Sequence, residues 1–278
     1  MHKNKMSYKA SVIVAFYNNL DVLSVVLKAL QNQTESDFEV VIADDGSRPE
    51  VVEQLKIKID NSPLSIQHIW HEDAGFRKNR CLNLCVKASR SEYLIFIDGD
   101  CVPQSHFVED HLSEAKLNRV VNGRRADLSP RCSELLVASP SPEHFVSNHF
   151  GKMLIDGLCS QGKNAEKGYR LKNDWLRQKF QNKKKGLVGC NLSLHKADLL
   201  RINGFDMRYE AAGTGEDSDI DFRLQLLGVE IHNCFYKATQ VHIYHKELPR
   251  LPVNDVLFAR VREEKIAYTP FGLDTLPE

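Results

Sequence analysis

The stretch that most constrains this chain is Tyr93-Leu-Ile-Phe-Ile-Asp-Gly-Asp-Cys101, an apolar run that ends on two carboxylates. Five residues rich in isoleucine, leucine and aromatics predict a strand buried on both faces. Asp98 and Asp100 follow at its end, and Gly99 between them lets the chain bend and a ligand approach the backbone. In an α/β protein, carboxylates at the C-terminal mouth of a buried strand are placed to hold a divalent cation and the phosphates it carries. Asp217-Ser-Asp219 and Asp219-Ile-Asp221 repeat the spacing inside an expected helix, so position after a strand is what sets Asp98 and Asp100 apart.

Strands and helices alternate around that run. Ala10 to Phe16 predicts a strand, Leu20 to Leu30 a helix, Phe38 to Ala43 a second strand and Pro49 to Ile59 a second helix. Ser65 to Trp70 reads as a third strand and Arg77 to Ala88 as a helix leading into the strand that ends at Asp98. This order argues for an α/β fold, a mostly parallel twisted sheet with helices on both faces. Such sheets bind ligands outside the carboxyl ends of their strands. Here those ends carry Tyr17-Asn18, Asp44-Asp45, His71-Glu72-Asp73 and Asp98-Gly99-Asp100.

The second half is less regular. A helix is expected from Ser105 to Leu117, then a short strand and a basic turn, Gly123-Arg-Arg125. Residues 129–186 mix prolines, amphipathic pieces and the run Lys183-Lys-Lys185, which predicts a helical insertion or a mobile loop. Order returns with a strand at Gly189 to Leu194, a short helix from Lys196, and a glycine-rich approach to an acid-loaded helix at Gly215-Glu-Asp217. A strand through Val241, His242 and Tyr244 follows, then a tail with a helix near Val253 to Lys265. We therefore expect one domain over residues 1–247, with a donor-binding half at about 10–102, an acceptor and catalytic half at about 103–247, and a C-terminal extension over 248–278.

Lys plus Arg and Asp plus Glu each number 37, so nothing points to a nucleic-acid partner. Seven cysteines without a C-x-x-C pair predict reduced thiols in a cytoplasmic protein. No apolar stretch approaches a membrane span and no signal-peptide core follows the polar start, so any membrane contact is expected to be peripheral, at the inner face.

Ser11-Val-Ile-Val-Ala-Phe-Tyr-Asn18, Val40-Val-Ile-Ala-Asp-Asp-Gly-Ser47, Ile95-Phe-Ile-Asp-Gly-Asp100 and Gly215-Glu-Asp217, in this order, resemble glycosyltransferase family 2. Gly75-Phe-Arg-Lys78, Asp98-Gly-Asp-Cys101, Gly189-Cys-Asn191 and His242-Ile-Tyr-His-Lys-Glu247 are most similar to its chondroitin-polymerase-like branch. The resemblance covers about residues 10–247. It implies the nucleotide-diphospho-sugar transferase fold and a metal-dependent, inverting transfer from a nucleotide sugar. One departure stands out: where many members have Ala-Arg-Asn-x-Gly, this chain has Cys81-Leu-Asn-Leu-Cys85.

Under that resemblance the chemistry assigns roles. Asp100 is the expected direct ligand to Mn2+ or Mg2+, with Asp98 reaching the ribose or, through water, the metal. A further ligand is expected from His242 or His245. Their odd separation on a strand sends them to opposite faces, so only one should enter the site, and the resemblance points to His242. Asp217 is the candidate general base for the acceptor hydroxyl, with Glu216 as runner-up or acceptor-binding residue and Asp219 as an acceptor contact. Asp221 reads as a cap or helix surface. Tyr17 is placed to stack on a pyrimidine and Asp44 to accept from its ring N–H, while Asp45 reads equally as donor contact or turn cap. Arg77 matches the family's basic residue near base and phosphates; Arg124 and Arg125 face the sugar diphosphate or pair at the surface. The expected partners are a UDP-sugar donor, carrying a hexosamine or hexose, and a glycan or lipid-linked oligosaccharide acceptor at the cell surface. The alternatives are a nucleotidyltransferase making nucleotide sugars, which lacks its usual glycine-rich basic loop here, and a non-catalytic glycan-binding partner of a polymerase.

Overall fold

The register of the strands decides where the polar residues collect. The computed structural model describes residues 8–159, 161–181, 185–246 and 251–277, without the side chain of Glu216. Lys183, Lys184 and Glu247, named above, fall outside the described residues. Strands β1 (Ala10–Phe16), β2 (Phe38–Asp44), β3 (Ile66–Trp70), β4 (Tyr93–Asp98), β5 (Cys101–Pro103), β6 (Arg119–Asn122), β7 (Arg124–Asp127), β8 (Asn191–His195), β9 (Glu230–Asn233) and β10 (Thr239–His242) follow one another along the chain.

Seven of them form a sheet in the order β3-β2-β1-β4-β8-β6-β9. β1 runs parallel to β2 and β4, and β2 parallel to β3. β8 is antiparallel to both β4 and β6, and β9 returns parallel to β6. The expected mostly parallel sheet is therefore observed, with β8 reversed within it. Phe16 lies opposite Asp44, Asp44 opposite Trp70 and Ala15 opposite Asp98. The carboxyl ends of β1 to β4 thus share one edge.

Alternating side chains of β1 pack into two cores. Val12 and Val14 join Leu23, Val26 and Leu30 of helix Leu20–Gln31 on one face. Ile13 joins Cys81, Leu82 and Val86 of helix Lys78–Ala88 on the other. A period of two in the strand thus buries both faces under helices. The helix starts follow local chemistry: Asn19 accepts a hydrogen bond from the Val22 N–H at 3.3 Å, and Pro49 opens helix Pro49–Asp60, where no N–H partner is needed.

Three expectations in the second half are corrected. The helix predicted over 105–117 covers only Phe107–Ser113, where the Ser113 hydroxyl bonds back to the Asp110 carbonyl at 2.8 Å. Gly123-Arg-Arg125 is no turn. Gly123 is the joint at which the chain leaves β6 in the large sheet and enters β7 in a small one. A Cβ there would lie 2.0 Å from Asn191 Oδ1, so no side chain fits. The last predicted strand stops at His242, because the Tyr244 N–H turns away to donate to Ser133 Oγ at 2.8 Å.

The small sheet, β5-β10-β7, positions the site. In its register His242 of β10 lies opposite Cys101 of β5 on one side and opposite Asp127 of β7 on the other. Residues 129–186 contribute helices Pro130–Val137, Phe145–Leu158 and Asp174–Phe180. The C-terminal stretch is packed against the body. Helix Val253–Glu264 meets helix Glu216–Leu226 through Phe258 and Phe222, ring centroids 6.3 Å apart, and Leu273 is buried in the second core. Among the described residues no helix is long and apolar enough to cross a membrane.

Candidate functional site

Two cavities open at the carboxyl edge of the sheet and share Asp98. The larger, about 500 Å³, is walled by Phe16, Tyr17, Phe76, Ile243 and Tyr244, with Asp45, Lys78, Asp98, Gly99 and Asp100 supplying its polar groups. The smaller, about 280 Å³, is lined by Arg124, Arg125, Asp127, Lys167, Gly189, Cys190 and Asp217.

Asp98 and Asp100 leave β4 on different errands. Asp98 Oδ1 accepts from Lys78 Nζ at 2.8 Å. Asp100 Oδ2 lies 3.4 Å from His242 Nε2 and 3.2 Å from His245 Nε2, and the two imidazole nitrogens are 3.2 Å apart. Gly99 between them donates its N–H to the Ala15 carbonyl at 2.7 Å, and a Cβ there would stand 2.8 Å from that oxygen. Gly99 is thus what lets the Asp98-Gly99-Asp100 turn lie flat on β1.

One carboxylate and two imidazoles whose donor atoms lie within 4.8 Å of one another could hold a divalent cation. Both histidines reach Asp100, which corrects the expectation that only one of them turns into the site. That expectation assumed a strand running through His245, whereas β10 ends at His242 and the turn brings His245 back to the same side. Asp98 is not among this trio. Burial opposes the charge on Asp100, but hydrogen bonds from His242 and His245 hold its carboxyl far below the usual range. Burial also works against a charged His242, yet Asp100 and Asp127 together push it up to about 9. Hydrogen bonding to Asp100 raises His245 as well.

Asp127 is a candidate site residue that the sequence reading missed. Its Oδ1 is 3.3 Å from His242 Nδ1 and accepts from Arg125 Nε at 2.9 Å. A carboxylate on the far nitrogen of a ligating histidine fixes its tautomer and ring orientation.

The donor contacts expected from sequence divide. Tyr17 is 53 % exposed on the wall of the larger cavity, its hydroxyl donating to Asp73 Oδ2 at 3.1 Å. Asp45 faces the cavity too; its Oδ2 accepts from the Arg77 N–H at 3.0 Å. His71 Nε2 lies 3.1 Å from Asp45 Oδ1, an ion-pair contact without hydrogen-bond alignment, and Asp45 with Cys81 pushes His71 up to about 10. Asp44 does not face the cavity. It is fully buried, accepting from the Ser47 N–H at 2.8 Å while its other oxygen meets His68 Nε2 at 2.9 Å. Arg77 is likewise corrected: its guanidinium turns to Glu210 at 3.1 Å, and its neighbour Lys78 enters the cavity instead.

Asp217 stands in the first turn of helix Glu216–Leu226 and lines the smaller cavity. Its Oδ1 accepts from the Ser218 N–H at 2.7 Å and Oδ2 from the Gly189 N–H at 3.3 Å, so the carboxylate is held in orientation. Asp219 is not an acceptor contact. Two residues on, it points into the core, fully buried, paired with Arg223 and accepting from the Tyr209 hydroxyl at 3.2 Å. Asp221 caps the Leu187 N–H at 3.1 Å. Arg124 is buried, donating to Asn122 Oδ1 and the Gly186 carbonyl at 2.7 and 2.9 Å.

Residues 11–131 match the family model described as glycosyl transferase family 2, and residues 172–246 match the one described as N-terminal domain of galactosyltransferase. The chain is 25 % identical over 259 residues to a chondroitin synthase of Escherichia coli, covering 86 % of this chain and 35 % of that protein. The chain therefore spans about a third of the length of that relative. Among solved structures, it resembles TarS 1–349 of S. aureus in complex with UDP, at a TM-score of 0.59 and 17 % identity, over 96 % of this chain and 68 % of that one. It also resembles the mannosyltransferase PcManGT of Pyrobaculum calidifontis in complex with GDP-Man and Mn2+, at a TM-score of 0.56 and 16 % identity, over 87 % of this chain and 59 % of that one. These likenesses establish the fold as that of the nucleotide-sugar transferases.

Proposed function

We propose that this chain, which matches the glycosyl transferase family 2 model over residues 11–131 and is similar to a chondroitin synthase, moves a hexosamine or hexose from a UDP-sugar to a hydroxyl of a growing cell-surface oligosaccharide or polysaccharide. The observation that carries this reading is the junction of the two cavities: Asp100, His242 and His245 converge at the larger, Asp217 lines the smaller, and Asp98 borders both.

The larger cavity takes the donor. Tyr17 offers an exposed ring on which a pyrimidine stacks, and Asp45 presents a carboxylate to the nucleoside. Asp100, His242 and His245 would hold Mn2+ or Mg2+, which when bound neutralises the leaving diphosphate. Lys78 adds a fixed positive charge beside Asp98 on the same wall. The acceptor enters the smaller cavity. Asp217 takes the proton from its hydroxyl, the oxygen bonds to the anomeric carbon, and the bond from that carbon to the diphosphate breaks on the opposite side, inverting the centre. Seven unpaired cysteines fit a reducing cytoplasm, with any membrane contact peripheral.

A donor panel with Mn2+, following release of nucleoside diphosphate, tests the reading. Release that needs both metal and acceptor is expected. Formation of pyrophosphate instead, or no metal-dependent product with any donor, would overturn it.

A further inference from the structure

A second group of donor atoms includes Asp98 and adjoins the Asp100–His242–His245 trio. Cys101 and Cys190 are both buried, one on β5 and the other just before β8. Their sulfurs and an Asp98 oxygen all lie within 4.8 Å of one another. Arg125 approaches both thiols, its Nη1 3.5 Å from Cys190 Sγ and 3.9 Å from Cys101 Sγ.

The chemistry of this group differs from that of the neighbouring trio. Asp100, His242 and His245 offer oxygen and imidazole nitrogen, whereas Asp98, Cys101 and Cys190 offer two sulfurs and one oxygen. Soft thiolates select ions such as Zn2+ and Cd2+ over Mn2+ and Mg2+. The charges also close: two thiolates and a carboxylate balance one dication plus the Arg125 guanidinium. Cys190 and Asp98 border the 280 Å³ cavity, which leaves a path inward and a fourth position for water.

We propose that Asp98, Cys101 and Cys190 form an inhibitory site for a thiophilic divalent cation, Zn2+ being the type case, distinct from the Asp100–His242–His245 site. Binding releases the two thiol protons to solvent and forms two metal–sulfur bonds. It draws Asp98 away from Lys78, its partner at 2.8 Å, and removes that carboxylate from the wall common to both cavities. Only the word inhibitory rests on the transfer reading; occupancy of the site does not.

The test titrates Cd2+ into the full chain, following the ultraviolet thiolate-to-cadmium charge-transfer band, and measures Zn2+ inhibition of Mn2+-supported transfer. The thiolate band should saturate at one equivalent. It should fall by at least half in Cys190→Ser and in Cys101→Ser but persist in Cys81→Ser. Zn2+ sensitivity, taken against each variant's own rate, should weaken at least tenfold in the first two, and excess Mn2+ should not relieve inhibition of the unaltered protein. A band unchanged in both serine variants would overturn the proposal. Inhibition relieved by Mn2+ and equal in all variants would do so as well, because zinc would then be acting at the histidine trio. If Cys101→Ser does not fold, Cys190→Ser and Zn2+ protection of Cys190 from alkylation decide the matter. A normal band in a protein without transferase activity would refute the transfer reading and leave the metal site standing.

Discussion

The two cavities are built from opposite kinds of chain. The larger is assembled mostly from residues at or after the ends of β1 to β4, closed on one side by Ile243 to Lys246 after β10, and its walls are mostly apolar. The smaller draws on β7, the stretch before β8, Asn164 and Lys167, and the start of helix Glu216–Leu226, and its lining is mostly charged. A repeating βα unit delivers its loops to one edge by local rules, so all of the first cavity but its Ile243–Lys246 side is a direct product of topology. The second exists only because strands distant in sequence meet. Mutations at the first should therefore register as donor binding, and mutations at the second as turnover.

The sharpest way to break this division is to compare Asp100 with Asp217. Asp100→Ala should lower Mn2+-supported kcat/KM by about 1,000-fold, since several kcal/mol of charge stabilisation depend on the cation, and should weaken donor binding too. Asp217→Asn should cost about 100- to 10,000-fold in kcat while leaving the donor Kd, measured by calorimetry, within about twofold. Were Asp217→Asn to lose donor affinity as well, the cavities would not be separate functional units. Asp127→Asn tests whether the small sheet orients the metal site; Mn2+ affinity should drop by about 10- to 100-fold with the fold intact by circular dichroism. Tyr17→Ala should raise donor KM about tenfold and barely move kcat, as expected for loss of one base-stacking ring.

The smallest effect comes from two buried histidines shifted in opposite directions. His242 is pushed up to about 9 by Asp100 and Asp127 against burial, so its contribution to the metal-free protein is complete below pH 6.5 and is lost as pH rises through 9. Burial pushes His111 down to about 3, so the unfolded chain takes up a proton first and stability falls as pH drops below 6.5. Thermal melts of the metal-free protein should lose a few degrees on each side. Saturating Mn2+ should remove the alkaline loss, because the cation binds neutral imidazole, and leave the acid side unchanged. An alkaline loss that survives in Mn2+ would argue against His242 as a ligand.

The sequence reading failed where one residue of register decided the outcome. In β2 successive side chains point to opposite faces, so Asp44, still in the strand, turns into the protein while Asp45 reaches the cavity. The same one-step shift separates Arg77 from Lys78. On helix Glu216–Leu226, positions two apart lie on opposite sides, so Asp217 and Asp219 cannot both face an acceptor. Arg223, four residues on from Asp219, was a signal that this carboxylate is ion-paired; that the pair is buried only the structure shows. Asp127 carried no comparable signal. Its role arises from lying beside His242 in a three-stranded ribbon whose strand β10 is more than a hundred residues from β5 and β7.

Hydrophobic periodicity and the polar residues that punctuate it sufficed to identify the βα alternation, the parallel sheet and the edge where Asp98 and Asp100 gather. These are consequences of short-range sterics and of which faces must leave water. Only the folded chain could choose Asp45 over Asp44, bring both His242 and His245 to Asp100, and set Cys101 beside Cys190. Those choices depend on strand register, on where β10 ends and on the switch at Gly123 between two sheets. All three are set by contacts between segments that no local pattern connects.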